Sequence, residues 1–418
     1  MDAKDVASIW LEDELYRFEY SKDWLENSFA ISPSLPLSKS INPTNVKRFL
    51  ENLIPEGKGL EDIVAFSHLS KNNIFGIIQA IGNDTSGALM FGENVDINKA
   101  IFREISDAEL SKRIELIQEK SIIIWDEKER LSLAGVQEKL PIIIKDDKIG
   151  LGDGTLSSTH IMKFQTRKNT HIVINEFYCM TLAKHIGLDV AKVELKRFDN
   201  QPTLVVKRFD RIYKKDAVKR LHMIDGCQML NLPSTYKYER NFGSGRDVKH
   251  IKDGANFKKL FKSLELCEVP AKAKLELLNW AMFNLIVGNS DSHAKNFSFF
   301  VDKNGIRPTP FYDILCILMY DDVEKDLAMS YGDEFNSEAI KAYQLREFAQ
   351  EIDINYKLVQ QTLKKQCNKV QKVLKTDIIN KNLLEKDEII FVDRLYGLIL
   401  KRVKIFLEVA KEMEFVTF

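Results

Sequence analysis

The sequence predicts an α+β fold in which a β-rich segment precedes a helical half. Short apolar runs typical of strands follow one another between residues 105 and 215, with one helical pattern among them. Beyond residue 220 an amphipathic helical pattern dominates and continues almost to the carboxyl end. A chain of 418 residues is long enough for two or three domains with a substantial core.

The first hundred residues mix short strand-like and helix-like patterns. An aromatic run covers residues 15–24, and prolines interrupt residues 31–37. A helix is predicted at 70–83 because four isoleucines share one of its faces, namely Ile74, Ile77, Ile78 and Ile81. The extreme N-terminus shows no clear first strand. Since no catalytic cluster appears here, we predict an accessory subdomain.

The elements predicted after residue 100 divide the rest of the chain into two parts. Strands are predicted at 141–145, 161–164, 193–197 and 203–209, and one helix at 175–186. The helical part includes 271–287 and a long tail at 351–415. We therefore predict an N-terminal subdomain at 1–100, a β-rich small lobe at 101–214 and a helical large lobe at 215–418.

The most informative residues are Asp291, Asn296 and Asp313. An Asp, an Asn five residues later and a second Asp after a predicted hairpin have the spacing of a phosphotransfer site. Asp291 can accept the proton of an attacking hydroxyl, while the oxygens of Asn296 and Asp313 can hold Mg²⁺ against nucleotide phosphates. Clusters of Asp and Asn also occur in ordinary turns, so the flanking apolar and aromatic residues and the upstream motifs are needed for this interpretation.

Composition excludes several other classes. Lys plus Arg and Asp plus Glu both number 61, so there is no global attraction to nucleic acid or to an anionic membrane. The five cysteines have no C-x-x-C spacing, which favours buried reduced thiols. The polar N-terminus and the absence of an apolar run near the ~20 residues of a membrane span predict a cytoplasmic protein with no membrane partner.

A nucleotide site is predicted in the β-rich part. The small-residue loop at 132–139 could bring backbone N–H groups to phosphates, although a single Gly there is also typical of an ordinary turn. Lys163, at the end of a predicted strand, could meet the α- and β-phosphates of ATP, and Glu176 on the following helix could orient it. Residues 207–209 would form the hinge that contacts adenine.

In combination these motifs resemble the HipA family of serine/threonine kinase toxins. They stand in family order: S-L-A-G-V-Q-E-K at 132–139, S-T-H-I-M-K at 158–163, N-E-F-Y-C at 175–179, V-K-R-F-D-R at 206–211, D-S-H-A-K-N-F-S at 291–298 and T-P-F-Y-D at 309–313. Residues 31–37, 53–57 and 86–89 also resemble the family's N-terminal subdomain. The resemblance implies a bilobal, protein-kinase-like (HipA-like) fold: a β-rich small lobe with an additional N-terminal subdomain, and a helical C-terminal lobe.

The resemblance also implies roles for individual residues. Asp291 would be the catalytic base, Asn296 and Asp313 the Mg²⁺ ligands, and Ser132 the autophosphorylated serine whose modification switches the kinase off. The residues implied in ATP binding are Lys163, Lys207, Phe209, Leu133, Ala134, Gly135, Val136, Glu176 and His293. The family often has Glu where this chain has Lys207. Because hinge contacts are largely made by the backbone, nucleotide binding should survive this change.

Partners follow from the same resemblance. It implies a HipB-like helix-turn-helix antitoxin that would supply the DNA affinity this neutral chain lacks, and a protein substrate such as an aminoacyl-tRNA synthetase. Two alternatives stay open. A small-molecule phosphotransferase of the aminoglycoside- or lipid-kinase kind shares D-x-x-x-x-N and a later Asp but lacks the N-terminal subdomain. A noncatalytic partner in an antitoxin–DNA complex would not need Lys163, Asp291, Asn296 and Asp313 together.

Overall fold

The structure is a computed structural model, and it describes residues 4–38, 40–92, 100–130, 137–166, 170–214 and 217–417. The chain divides into two compact units. The first consists of Met1–Val173, Lys192–Ser234 and Phe299–Ile306, and the second of Ile174–Ala191, Thr235–Ser298 and Arg307–Phe418. The division at residues 100 and 214 stays a prediction.

The first unit carries most of the strands. Up to residue 130 its elements are β1 (Ala7–Glu12), β2 (Leu15–Tyr20), α1 (Lys22–Asn27), α2 (Pro43–Glu51), α3 (Gly57–Phe66), α4 (Ile74–Ile81), β3 (Ala100–Glu104), α5 (Asp107–Glu115), β4 (Ile124–Trp125) and β5 (Lys128–Glu129). Then follow β6 (Lys139–Lys145), β7 (Lys148–Gly154) and β8 (His160–Phe164). The chain passes through α6 (Ile172–His185) before β9 (Val193–Phe198), β10 (Gln201–Lys207), β11 (Arg211–Lys214), β12 (Ala217–Arg220), β13 (Met223–Asp225) and α7 (Gly226–Met229).

A six-stranded sheet is the centre of the first unit. Its strand order is β3-β7-β6-β8-β10-β9, and each neighbouring pair is antiparallel. Three of its inner strands, β6, β8 and β10, are buried over most of their length, as in β10, where Pro202–Val206 are all buried. Such near-continuous apolar runs are typical of strands covered on both faces.

The N-terminus departs from the sequence prediction, because it does form a first strand. β1 pairs with β2 in an antiparallel hairpin that runs from Ala7 opposite Tyr20 to Glu12 opposite Leu15. Asp13 and Glu14 form its two-residue turn, with φ of +50° and +63°. This is the left-handed turn geometry that strand twist favours, but Asp-Glu is not one of its usual sequences. The hairpin signal was therefore weak.

The second unit is mostly helical. It contains α6 from residue 174 onward, α8 (Phe257–Ser263), α9 (Pro270–Val287), β16 (Asp326–Tyr331), β17 (Glu334–Asn336), α10 (Ala342–Glu351), α11 (Tyr356–Val373) and α12 (Lys386–Glu412). Between α9 and β16 lies a hairpin of β14 (Ser298–Asp302) and β15 (Gly305–Pro308), whose residues 299–306 are counted with the first unit. The helical patterns at 271–287 and 351–415 are confirmed as α9 and as α11 with α12.

The cysteines of the chain are all buried and free, as predicted: Cys179, Cys227, Cys267, Cys316 and Cys367. The strand predicted at 203–209 ends earlier, at Lys207, so Phe209 lies beyond it. Within the described ranges, no helix combines the length and the apolar character that crossing a membrane would require.

Candidate active site

Helix α9 leads directly to Asp291. It begins with Pro270 in its first turn, where the missing N–H costs nothing, and ends at Gly288, whose φ of +80° is left-handed. A Cβ atom at Gly288 would lie 2.8 Å from Leu318 Cδ1. The left-handed backbone conformation therefore favours glycine at this position, and a Cβ atom there would also force the Leu318 side chain to shift.

Asp291 is the one partly exposed residue in an otherwise buried run. Every other residue from 281 to 299 is buried. The Tyr238 hydroxyl donates a hydrogen bond of 2.7 Å to Asp291 Oδ1. The loop thus holds one carboxylate where solvent or a substrate can reach it, as a general base requires.

Asn296 is folded back onto the same loop. Its side-chain nitrogen donates to the Asp291 carbonyl at 3.1 Å, and its backbone N–H donates to the His293 carbonyl at 2.9 Å. A short 3-10 turn at Ala294–Asn296 produces this arrangement. The side-chain oxygen is the atom of Asn296 that can serve as a metal ligand, and it is not used in this bond.

Asp313 is tied to this loop through its backbone. The Asn289 side-chain nitrogen donates to the Asp313 carbonyl at 3.4 Å and to Asn284 Oδ1 at 2.8 Å. The neighbouring Tyr312 hydroxyl donates to the Lys295 carbonyl at 2.6 Å. The segments that carry Asn296 and Asp313 are therefore joined, as the predicted hairpin required.

Helix α6 is fastened to the segment that follows Asp313. The Asn175 side chain donates to the Cys316 carbonyl at 2.9 Å and accepts from the Cys316 N–H at 2.8 Å. Beyond the helix, Ala191 N–H donates to the Phe311 carbonyl at 2.8 Å. The first pair of bonds fixes the N-terminal part of α6 against the segment after Asp313, and Glu176, which is 1% exposed, is the next residue on this helix.

The nucleotide-side residues in the first unit lie on the central sheet. Lys163 is buried on β8, where its register partner on β6 is Lys139, also buried. Residues opposite each other in antiparallel strands project from the same face, so the two lysines share one face of the sheet. Ser132, Leu133, Ala134, Gly135 and Val136 lie outside the described residues.

The last residues of the 132–139 loop are hydrogen-bonded next to Lys163. The Gln137 side-chain nitrogen donates to the Phe164 carbonyl at 3.3 Å, and Phe164 N–H donates to the Glu138 carbonyl at 3.0 Å. The carboxyl end of the 132–139 motif is therefore held beside the strand that carries Lys163.

The predicted hinge is partly occupied by bonds within the protein. Lys207 is exposed, and its N–H donates to the Lys192 carbonyl at 2.8 Å. Arg208 N–H donates to the Thr159 carbonyl at 2.9 Å. A backbone contact of Lys207 with adenine would thus have to use its carbonyl group. Phe209 is half-buried, with its ring edge-on to Phe300 at 5.8 Å.

Tyr238, Lys139 and Asn289 belong to the site but were not singled out from the sequence. Tyr238 lies 53 positions before Asp291 in a segment with no motif, so no spacing could have indicated it. Lys139 closes the S-L-A-G-V-Q-E-K motif directly before an apolar run. That position could have indicated a lysine at the start of a strand, next to the proposed phosphate loop.

Two family models match the chain. The HipA N-terminal domain matches residues 1–92, and the HipA-like C-terminal domain matches residues 131–374. The "Serine/threonine-protein kinase toxin HipA" of Shewanella oneidensis is 41% identical over 382 residues, which are 91% of this chain and 88% of that protein. The chain belongs to the HipA family.

Further comparisons agree with this HipA assignment. A "Putative kinase Y4mE" of Sinorhizobium fredii is 31% identical over 83% of both chains. The solved HipA of Shewanella oneidensis MR-1, in complex with HipB and operator DNA, is 38% identical, with a TM-score of 0.90 over 99% of this chain and 98% of that one. The α+β, kinase-like HipA fold is thereby confirmed, and the enzyme class is serine/threonine-protein kinase.

Proposed function

We propose that the chain transfers the γ-phosphate of ATP to a protein serine or threonine, with Asp291 as the base and Mg²⁺ as the metal. The observation that carries this proposal is the position of Asp291 as the single partly exposed residue of an otherwise buried loop. Tyr238 fixes its carboxylate, and the Asn296 side chain donates to its backbone carbonyl group. The Asn289 side chain, two residues before Asp291, donates to the Asp313 carbonyl. Such a base accepts the hydroxyl proton as the oxygen attacks phosphorus.

The donor set suits Mg²⁺. Asn296 offers a side-chain carbonyl oxygen and Asp313 a carboxylate, and Mg²⁺ is usually held by one or two such protein oxygens together with substrate phosphates. When bound, the metal would neutralise charge on those phosphates. In the described part of the chain, no group of three or more His, Cys, Asp or Glu could hold a metal ion. The proposed site has only two protein ligands, Asn296 and Asp313, so it would not be among such groups of three or more.

The chain's own residues would bind and orient ATP. We assign Lys163 to the phosphates and Glu176 to its orientation, and Lys207 and Phe209 to the adenine edge. Leu133, Ala134, Gly135 and Val136 would form the phosphate loop, with His293 as a further contact beside the base. The burial of Lys163 supports its role, since a buried ammonium attracts an anion more strongly than an exposed one does.

We further propose that the kinase is the growth-arresting toxin of a HipA/HipB-like module. The solved relative is in complex with HipB and operator DNA, which supports a HipB-like helix-turn-helix antitoxin as partner and contact with DNA only through it. A translation component such as an aminoacyl-tRNA synthetase is the proposed substrate, which would place the activity in the cytoplasm. Autophosphorylation of Ser132 would end the kinase activity, since the phosphate group, with a charge of about −2, competes with ATP for the same backbone N–H groups.

The test is intact-mass spectrometry of the full chain after incubation with Mg²⁺ and ATP, followed by peptide mapping. We expect phosphate on Ser132 in the parent protein and only a trace in Asp291→Asn after the same incubation. Asp302→Asn is the matched control, because Asp302 lies on the β14–β15 hairpin and caps a turn there; it should incorporate phosphate as the parent does. Full incorporation by Asp291→Asn would exclude this residue as the base.

A further inference from the structure

We propose that Tyr238 is a positioning residue for phosphotransfer. Its hydroxyl fixes the Asp291 carboxylate through Oδ1, so that Oδ2 faces the hydroxyl group that is to be phosphorylated. The inference rests on the proposed function of Asp291 as base. It adds a residue that lies outside every motif of the sequence.

The hydrogen bond has the geometry of a strong one. An O–H donor 2.7 Å from a carboxylate oxygen makes a charge-assisted bond, about twice as strong as a neutral one. Asp291 is partly exposed, so its carboxylate would otherwise rotate among several orientations in contact with water. One fixed donor on Oδ1 selects a single orientation and leaves Oδ2 for the substrate proton.

Tyr238 is itself held in place on both sides along the chain. The carbonyl of Lys237 accepts from Ala294 N–H at 3.2 Å, within the same loop as Asp291. On the other side, the Glu239 carboxylate accepts from the N–H and hydroxyl of Ser330 at 2.8 and 2.9 Å. A hydroxyl carried by such an anchored backbone can fix the base.

The ring of Tyr238 is fixed as well. It packs edge-on against the His293 ring, with centroids 5.2 Å apart and an interplanar angle of 83°. The aromatic contact restricts rotation of the ring and so favours the position from which its hydroxyl reaches Asp291. Hydrogen bonds and this ring contact together join residues 237–239 to the loop that carries Asp291.

A competing interpretation predicts the opposite change in the phosphotransfer rate when the Tyr238 hydroxyl is removed. The Tyr238 hydroxyl could occupy the place of the substrate hydroxyl and block it, in which case its removal would increase the rate. The anchoring on both sides favours positioning, because a blocking group must be able to leave. The sign of the rate change therefore distinguishes the two interpretations.

The decisive variant is Tyr238→Phe, which keeps the ring and removes the hydroxyl. We would measure the single-turnover rate of phosphate incorporation into the full chain as a function of ATP concentration. The expected result is a maximal rate lower by about 10- to 100-fold, the effect of losing one hydrogen bond to a charged group. The half-saturating ATP concentration should stay within about twofold of the parent value, since a uniform loss of binding is not expected.

Tyr236→Phe is the matched control. Tyr236 lies two residues before Tyr238, its ring contacts Phe242 with centroids 6.4 Å apart, and its carbonyl accepts from Ala255 N–H. Its variant should keep the parental rate. Thermal unfolding of both variants would show whether either loses structure. A parental or increased rate in Tyr238→Phe would overturn the inference, as would an equal loss in both variants.

A double-mutant cycle with Asp291→Asn separates this inference from the proposed function. If Tyr238 acts through the Asp291 carboxylate, adding Tyr238→Phe to Asp291→Asn should lower the residual rate less than twofold, because the group it orients is already gone. A further full-sized loss would mean that Tyr238 acts elsewhere. Full activity of Asp291→Asn alone would instead refute the assignment of the base.

Discussion

The backbone of Asp313 is itself unusual. Its φ of +59° lies in the left-handed region, which Asp and Asn tolerate better than most other residues because their short polar side chains bond locally. Such conformations persist only when the surroundings enforce them. Here Asn289 bonds the Asp313 carbonyl. A replacement at this position must therefore tolerate the same backbone conformation, which makes Asn a better test than Ala.

We expect Asp313→Asn to lose most of the Mg²⁺-dependent part of nucleotide affinity, by about tenfold or more, because a neutral amide is a poorer ligand for a hard cation. Titration calorimetry measures ATP affinity once with Mg²⁺ present and once with a chelator, and the ratio of the two affinities gives the Mg²⁺-dependent part. Asp353→Asn is the matched control: Asp353 also has a left-handed φ, of +52°, and is exposed. Equal Mg²⁺ dependence in the two variants would contradict the assignment of Asp313.

The sequence shows only part of this site. Asp291 and Asn296 were recognisable because a local spacing of five residues places them in one loop. Tyr238 and Asn289 could not be recognised, because a tyrosine outside any motif and an asparagine in a loop carry no signal of their own. Their roles come from hydrogen bonds that tertiary folding creates.

At the scale of elements, the end of α9 depends on a residue far away in the chain. Arg402 on α12 donates to the Leu285 carbonyl at 2.6 Å and to the Ile286 carbonyl at 3.2 Å. These belong to the last turn of α9, where carbonyl groups lack partners within the helix. A buried cation at a helix C-terminus also interacts favourably with the helix dipole. Arg402 thus stabilises the helix that delivers Asp291.

We predict that Arg402→Met lowers the free energy of unfolding by about 2–4 kcal/mol, since it leaves two buried carbonyl groups without a donor. Denaturant unfolding of the second unit's helical signal would measure this loss. Arg394→Met changes an exposed arginine on the same helix and should cost less than about 0.5 kcal/mol. If both substitutions lower the free energy of unfolding by the same amount, Arg402 does not cap α9.

The elements themselves were largely predictable. Pro270 and Gly288 mark the ends of α9, and the four isoleucines of α4 are all buried, as their spacing indicated. The missed strand β1 is the counterexample: its Trp10 and Leu11 are 40% and 45% exposed, so it lacks the alternation of a half-buried strand. Here pairing with β2 decides the structure, and local pattern does not.

At the scale of the molecule, a net charge of zero conceals an ionic cluster in the first unit, in which Arg208, Asp210 and Arg211 are buried and Asp84 is partly exposed. Asp210 accepts from Arg208 and Arg211 at 2.8 and 2.7 Å, and Asp84 accepts from Arg211 at 3.0 Å. Burial alone would raise the pKa of both aspartates, but the nearby guanidinium charges outweigh it and lower both pKa values. The cluster explains V-K-R-F-D-R, and the stability it contributes is lost as the pH falls below the usual carboxylate range.

Glu351 is the opposite case. Burial, and then the charges of Glu239, Glu347 and Asp333, raise its pKa to about 7, while Lys258 partly offsets them. A raised pKa means that the folded state favours the protonated carboxyl group. Its favourable contribution is complete below the unfolded pKa near 4.3 and is lost as the pH rises through 7. Above pH 7 an ionised Glu351 therefore destabilises the fold.

Glu351→Gln should accordingly stabilise the protein at pH 8 by about 1 kcal/mol, a value reduced for the half-exposed position, and leave its stability unchanged at about pH 3. The neutral amide resembles the protonated acid in shape and removes the repulsion from Glu239, Glu347 and Asp333 at high pH. Thermal unfolding across this pH range, with the exposed Glu408→Gln as control, measures the difference. A stabilisation that is the same at both pH values would show that ionisation of Glu351 is not its cause.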